Sequence, residues 1–330
     1  MAIIFSLTFM LEDKIFDGFL ENLQYEKKYP RTQSFKTVVE NRSGIITIDE
    51  ATKSGDADIV YGGGIYDGRY AVDPRSPNGI HRCYMIAGLH RKPSKVLEIG
   101  FSSGSWAAAL IRHEAVNELK VIEINSGYLE VIKNYEEHNQ LLSNPKVDIE
   151  INDGRRWLGV QPDDVSFDFM LMNTTFHWRS HATNLLSVEF LELCKKHLKP
   201  GGVVFYNTTG SEDVVRTAAV VFKHVTMVGN FVAASDSPFD ISNEERRQNL
   251  LRFKDPDGSP TFLRNEMFKE ELERLTKMPL PDMGAKLRNS DQFTIITDDN
   301  MACEYSKRKG YWFEANNSWI RMFSKLSKND

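Results

Sequence analysis

Two kinds of hydrophobic pattern follow one another along the chain. The first is made of short β-rich runs: Lys36-Thr37-Val38-Val39-Glu40 and Ile45-Ile46-Thr47-Ile48-Asp49 flank Asn41-Arg42-Ser43-Gly44, a turn-like spacer, and predict a β-hairpin. Ile59-Val60 adds a further apolar pair, and Gly62-Gly63-Gly64 precedes Ile65-Tyr66-Asp67-Gly68. Three consecutive glycines suit a tight β-turn or a close backbone approach to a ligand, and both readings stay open. From Lys95 the pattern becomes strand, turn, helix, repeated. Val96–Ile99, Leu119–Ile124, Val147–Ile151, Phe167–Met172 and Val203–Tyr206 predict strands. Trp106–Ile111 predicts a helix N-capped by Ser105, Leu129–Tyr135 a second, and Leu185–Leu198 a third that stops at Lys199-Pro200-Gly201-Gly202. Such alternation predicts an α/β fold, a mostly parallel sheet with helices on both faces, whose ligands bind at the carboxyl ends of the strands. Beyond Asp236, Asn243–Arg252 and Asn265–Lys277 look helical but polar, with Pro256, Pro260, Pro279 and Pro281 around them, and predict a C-terminal cap or lid.

Composition narrows the class. The 330 residues are 41% apolar and 26% charged, within the ordinary globular range, and offer enough chain for one large domain or two unequal ones. Lys and Arg number 41 against 46 Asp and Glu, a net charge of -5 without the broad basic field that a nucleic-acid backbone requires, so no nucleic-acid partner is expected. Cys83, Cys194 and Cys303 are odd in number and widely spaced, which suggests neither a disulfide framework nor a cysteine metal site and fits a reducing compartment. Met1 to Phe16 is apolar until Glu12, Asp13 and Lys14 interrupt it, too short for a span of about 20 apolar residues and without the basic start of a signal peptide. It reads either as a helix docked on a protein surface or as the remnant of a membrane segment. The expected organisation is an apolar segment over 1–30, a β domain over 31–85, a Rossmann-like α/β domain over 86–235 and a helical cap over 236–330.

The strongest local signal is Glu98-Ile99-Gly100-Phe101-Ser102-Ser103-Gly104-Ser105, a strand entering a glycine-bearing turn that opens a helix. Gly100 and Gly104 let the backbone approach a ligand, and the helix start offers unpaired N–H groups. The next strand ends at Glu123, 25 residues after Glu98, where a carboxylate can accept the hydroxyl hydrogens of a ribose. After a third strand, Asn152-Asp153-Gly154 places Asp153 where it can accept from an adenine amino group. The plainer reading makes these the turn and cap residues of any doubly wound fold.

The segment from about Ser34 to Phe239 resembles the polyamine aminopropyltransferases, the spermidine synthase family, and most closely the spermidine synthase-like domains of membrane-fused relatives. The resemblance rests on Tyr66-Asp67-Gly68-Arg69, Val96-Leu97-Glu98-Ile99-Gly100, Val121-Ile122-Glu123-Ile124-Asn125, Asn152-Asp153-Gly154, Phe167-Asp168 and Leu198-Lys199-Pro200-Gly201-Gly202. It implies a small N-terminal β-hairpin domain before a methyltransferase-like Rossmann domain, and a transferase that moves a group from the sulfonium of decarboxylated S-adenosylmethionine, or of S-adenosylmethionine itself, to an amine, without a metal. The candidate donor set is Gly100, Ser102, Ser103, Gly104, Glu123, Ile124, Asp153 and Gly154, and the candidate catalytic set is Asn173, His177, Tyr66 and Asp67. A homodimer is implied as well, in the cytoplasm, free or tethered to the inner face of the membrane. The Ile295–Asn300 stretch also resembles the fused relatives.

The chain departs from the family where the amine is handled. Asn173 stands at one of the family's Asp positions and Phe176 at that of the catalytic Asp, while Ser103 replaces the Asp that grips the donor amine. His177 and His181 bracket Trp178 and Arg179 on that loop, and an imidazole is a competent base near neutral pH. Arg179 would repel a polyamine and suit a carboxylate or phosphate on the acceptor, or it tethers the loop; Phe176 and Trp178 wall a sulfonium by cation–π contact, or pack. The acceptor is then a polyamine or an amine carrying an anionic group. Ser103 and Arg179 favour a methyltransferase as the alternative, and the lost Asp favours a nucleoside-binding pseudoenzyme.

Overall fold

In the computed structural model, residues 18–25, 34–53, 56–173, 183–208 and 210–301 are described. The expected hairpin is β1 (Thr37–Asn41) and β2 (Gly44–Asp49), closed by Arg42-Ser43, and it extends through β3 (Ile59–Gly62) and β4 (Ile65–Arg69) into a four-stranded antiparallel sheet in that order. Ile46, Ile48 and Val60 turn inward and are fully buried, so the period-2 pattern sets the register. The glycine run makes a tight turn. Gly63 and Gly64 join β3 to β4 at φ +58° and +76°, left-handed at both central positions as a hairpin turn demands.

The second sheet contains β5 (Lys95–Ile99), β6 (Glu118–Glu123), β7 (Val147–Ile151), β8 (Phe167–Met172), β9 (Leu198–Asn207), β10 (His224–Val228) and β11 (Phe231–Ser235). Its order is β10-β11-β9-β8-β5-β6-β7, with β5 to β9 parallel and the last hairpin antiparallel. The chain therefore runs outward from β5 on one side and resumes beside it with β8, which puts the topological switch point at the carboxyl ends of these two strands. Neighbouring residues of β5 serve different faces: Val96 joins an apolar cluster with Trp106, Tyr84 and Phe231, and Leu97 joins another with Phe190, Val214 and Ala218. Helices cover both faces, as a methyltransferase-like Rossmann sheet requires.

Four local expectations are corrected. Ser105 does not cap its helix: Gly104, at φ +73°, holds the cap position, and Ser105 is the first residue of Ser105–Leu110. Lys199-Pro200-Gly201-Gly202 is not a terminating turn but a bulge inside β9, since Leu198 pairs with Phe167 while Val203 pairs with Phe169, and Gly201 at φ +79° supplies the kink. The preceding helix is shortened to Val188–Lys196 because the Ser187 side chain accepts from the Phe190 N–H and starts it there. Leu129–Tyr135 is not one α-helix, because Gly127–Val131 tightens into a 3-10 turn over Ile132–Asn134.

The polar C-terminal helices are Asn243–Leu250 and Glu266–Thr276, capped by Ser242 and Asn265. Leu250, Phe253, Phe262, Leu272 and Leu275 add to the Trp106 cluster, which binds this segment to the Rossmann core. Among the described residues no helix is long and apolar enough to cross a membrane, and residues 1–17, where the apolar start lies, are outside them.

Candidate active site

At the switch point, the turn Gly100–Gly104 leaves β5 and abuts β8: a Cβ on Gly100 would sit 3.5 Å from the carbonyl oxygen of Asn173. Gly100 adopts φ +93°, which any other residue would hold only under strain, and Ser102 holds φ +49° without being glycine. The surroundings enforce that conformation. Ser102 Oγ donates to the Asp67 carbonyl at 2.6 Å, tying the turn to β4, and Tyr128 Oη donates to the Asp67 carboxylate.

Glu123 closes the turn from β6. Its Oε2 accepts from the Phe101 N–H at 2.7 Å, and its Oε1 accepts from the Asn125 N–H at 2.8 Å, leaving a further acceptor site on Oε1. Only 4% of Glu123 is exposed, and burial raises its pKa to about 7 against the lowering effect of these N–H donors, with Asp67 adding to the rise. Glu98 is fully buried behind it with no hydrogen-bond partner on either carboxylate oxygen among the described residues, and burial, then the neighbouring Glu123, pushes its pKa well up. Ile124, next in sequence, is 60% exposed. A large aliphatic side chain left in solvent beside a buried carboxylate is what a planar ring can cover.

The N-terminal sheet forms the opposite wall. Asn41 Nδ2 donates to Asn125 Oδ1 at 2.7 Å and Ser43 Oγ to the Ile124 carbonyl at 3.2 Å, so the β1–β2 turn rests on the end of β6. Ser105 Oγ donates to the Arg69 carbonyl at 2.6 Å, which gives this serine a docking role in place of the expected cap. Gly68 is pressed between the two parts: a Cβ there would stand 3.4 Å from both Ser102 Oγ and Ser103 Oγ. Tyr66 Oη donates to Asn78 Oδ1 at 3.2 Å across the same wall.

Asp153 is the N-cap of the helix Gly154–Gly159, with Oδ1 accepting from the Arg156 N–H at 2.7 Å. The cap leaves Oδ2 unused. Gly154 packs so closely that a Cβ would meet Ile99 Cγ2 at 2.5 Å. Ser103 is buried and shares a hydrogen bond of 3.0 Å with Ser105, so its hydroxyl faces the helix start. Asp168 takes no part: it accepts from the Lys95 N–H and pairs with Lys199 at the amino end of β8. Phe176, His177, Trp178, Arg179 and His181 lie outside the described residues. Cys83 and Cys194 are free and buried, and among the described residues no group of side chains could hold a metal ion.

A spermine/spermidine synthase domain model matches residues 84–235. A polyamine aminopropyltransferase of Aeropyrum pernix is 25% identical over 175 residues, 49% of this chain and 55% of that protein. Polyamine aminopropyltransferase 2 of Hyperthermus butylicus is 28% identical over 195 residues, 50% of this chain and 63% of that protein. The chain resembles the spermidine synthase family over these residues. It spans between 55% and 63% of the length of these two relatives. The solved spermidine synthase of Thermotoga maritima shares the fold, with a TM-score of 0.52 at 16% identity over 72% of this chain and 87% of that one. The family match begins at Tyr84, so Tyr66-Asp67-Gly68-Arg69 lies before it even though the fold brings these residues against the glycine turn.

The sequence did not single out Asn78, Tyr128 or Arg82. Of these only Arg82 carried a signal, a lone cation entering the apolar run Cys83–Leu89.

Proposed function

We propose that the chain is a transferase that binds decarboxylated S-adenosylmethionine or S-adenosylmethionine between the Rossmann sheet and β4, and passes a group from its sulfonium to an amine. The observation that carries this reading is the Glu123 carboxylate, fixed by the Phe101 and Asn125 N–H groups at the switch point with exposed Ile124 beside it. Glu123 Oε1 is assigned the ribose hydroxyls, Ile124 the face of the adenine, Asp153 Oδ2 the adenine amino group and the Gly100–Gly104 turn the sulfonium side. The match of residues 84–235 to a spermine/spermidine synthase domain and the names of the similar proteins support the same assignment.

The sulfonium supplies an electrophilic carbon when the donor is bound. The work left to the protein is to align the reactants and to hold the amine uncharged. The amine lone pair forms the new C–N bond while the C–S pair returns to sulfur, and the proton lost from nitrogen goes to a base. Asn173, beside Gly100, is assigned the amine, and His177 is assigned the proton. His177→Ala is expected to lower turnover at least tenfold with donor affinity changed less than twofold; unchanged turnover removes His177 from the mechanism.

Calorimetric titration with methylthioadenosine tests the donor site without requiring turnover. Asp153→Asn keeps a good N-cap but exchanges the free acceptor for an N–H donor, so affinity should fall about tenfold with the melting temperature little changed. Equal affinity in the variant would mean that the adenine lies elsewhere.

A further inference from the structure

Among the described residues, Arg82 at this site forms no ion pair with a carboxylate. Arg82 lies in the short helix His81–Tyr84, with its guanidinium 5.0 Å over the ring of Phe231, the first residue of β11, whose register partner Asn207 ends β9. It therefore shares the carboxyl edge of the sheet with Gly100 and Asn173. Two left-handed glycines surround it: a Cβ on Gly79 would touch its Cζ and both terminal nitrogens at 2.9 Å, and one on Gly229 would lie 3.6 Å from its Nε. Its Nε is buried without a hydrogen-bond partner. By contrast Arg91, Arg112, Arg155, Arg247, Arg264 and Arg274 all pair with carboxylates.

A buried guanidinium normally finds oxygens to fill its fork. Among the described residues no carboxylate forms an ion pair with Arg82; burial lowers its pKa to about 10, opposed by Tyr66. The guanidinium stays charged at neutral pH. Adjacent His81 is held neutral, its pKa lowered to about 3 by burial, Arg82 and Arg274. Tyr66 leads back to the donor turn through its bond to Asn78, whose Oδ1 lies 3.6 Å from the Cβ position of Gly68.

We propose that Arg82 is a specificity-determining residue that reads a carboxylate, so that one of the two small molecules taken by this site presents a carboxylate beside Tyr66. This rests on the donor-site reading above and narrows its substrate class. A planar fork meets a carboxylate with two parallel hydrogen bonds, strengthened where water is excluded. The same cation repels the second ammonium of a diamine. The carboxylate comes from an intact S-adenosylmethionine or from an acceptor that is an amino acid.

Matched pairs of ligands test this. Calorimetry compares S-adenosylmethionine with its decarboxylated form. Methylthioadenosine release, from whichever donor binds, compares ω-amino acids of two to six carbons with the alkylamines of the same length. Wild-type protein should favour the carboxylated member at least tenfold in one pair: preference in the donor pair places the carboxylate on the donor, and preference in the second pair places it on the acceptor. Preference in neither overturns the proposal. Arg82→Gln should abolish the preference and leave methylthioadenosine affinity within twofold, whereas equal weakening of both members would make Arg82 structural and also overturn it. If Arg82→Gln fails to fold, Arg82→Lys, which keeps the charge but not the fork, should retain only part of the preference; full retention counts against the bidentate contact. Loss of methylthioadenosine binding in the wild type would sink the donor-site reading itself, and this proposal with it.

Discussion

Gly104→Ala is expected to destabilise the fold by about 2–4 kcal/mol and to abolish donor binding, although it adds a single methyl group. Gly104 stands at φ +73° as the N-cap of Ser105–Leu110. A side chain there costs about 1 kcal/mol in backbone conformation alone. The added Cβ would also lie 2.8 Å from both Ile132 Cδ1 and Phe101 Cζ and 3.1 Å from Leu141 Cδ1, in a fully packed region, and overpacking of that kind costs about 1–3 kcal/mol. Relief requires Phe101 to move, and the Phe101 N–H is what holds Glu123. Gly64→Ala is the control: it too is left-handed, at φ +76°, but nothing lies within 4 Å of its Cβ, so about 1 kcal/mol is expected. Urea denaturation of both variants separates backbone from packing. Equal losses would show that the packing around Gly104 relaxes freely.

The comparison also shows what kind of information the sequence held. Gly100, Gly104, Glu123 and Asp153 stood out in the sequence because each sits where a strand hands over to a turn, whereas the strand order came only from the fold. The β10–β11 hairpin was not anticipated, because strands so short and so buried lack the polar alternation that marks a surface strand. Arg82 was not legible as a site residue. Its position depends on Gly79, Gly229 and Phe231, the last two more than 140 residues away in sequence, and only the fold brings them together. Ser105 was misplaced for a related reason: its hydroxyl is used by the Arg69 carbonyl, a partner from the other sheet, so the local capping rule lost to a long-range contact.

Glu123 should make both stability and donor affinity depend on pH, in opposite directions. Its pKa rises from an ordinary carboxylate value near 4.5 to about 7 on folding, because burial outweighs the three N–H donors from Phe101, Ser102 and Asn125. The folded state therefore binds a proton that the unfolded chain releases. The associated stabilisation is fully present below about pH 4.5 and is lost as pH rises to about 7, some 3 kcal/mol in all. His81, His113 and His138, all held neutral by burial, act in the opposite sense on the acid side, so wild-type stability alone is not the measure. They are common to Glu123→Gln, and the difference between the two proteins across pH 4.5 to 8 isolates Glu123 together with its effect on Glu98. Binding runs the other way. A ribose hydroxyl donates to the ionised carboxylate, so methylthioadenosine affinity should weaken about tenfold per pH unit below 7, close to 100-fold by pH 5, and Glu123→Gln should bind weakly at every pH. A flat affinity profile in the wild type would mean that Glu123 only shapes the turn and that another group holds the ribose. A sloping affinity with a flat stability difference would place the titrating group outside β6.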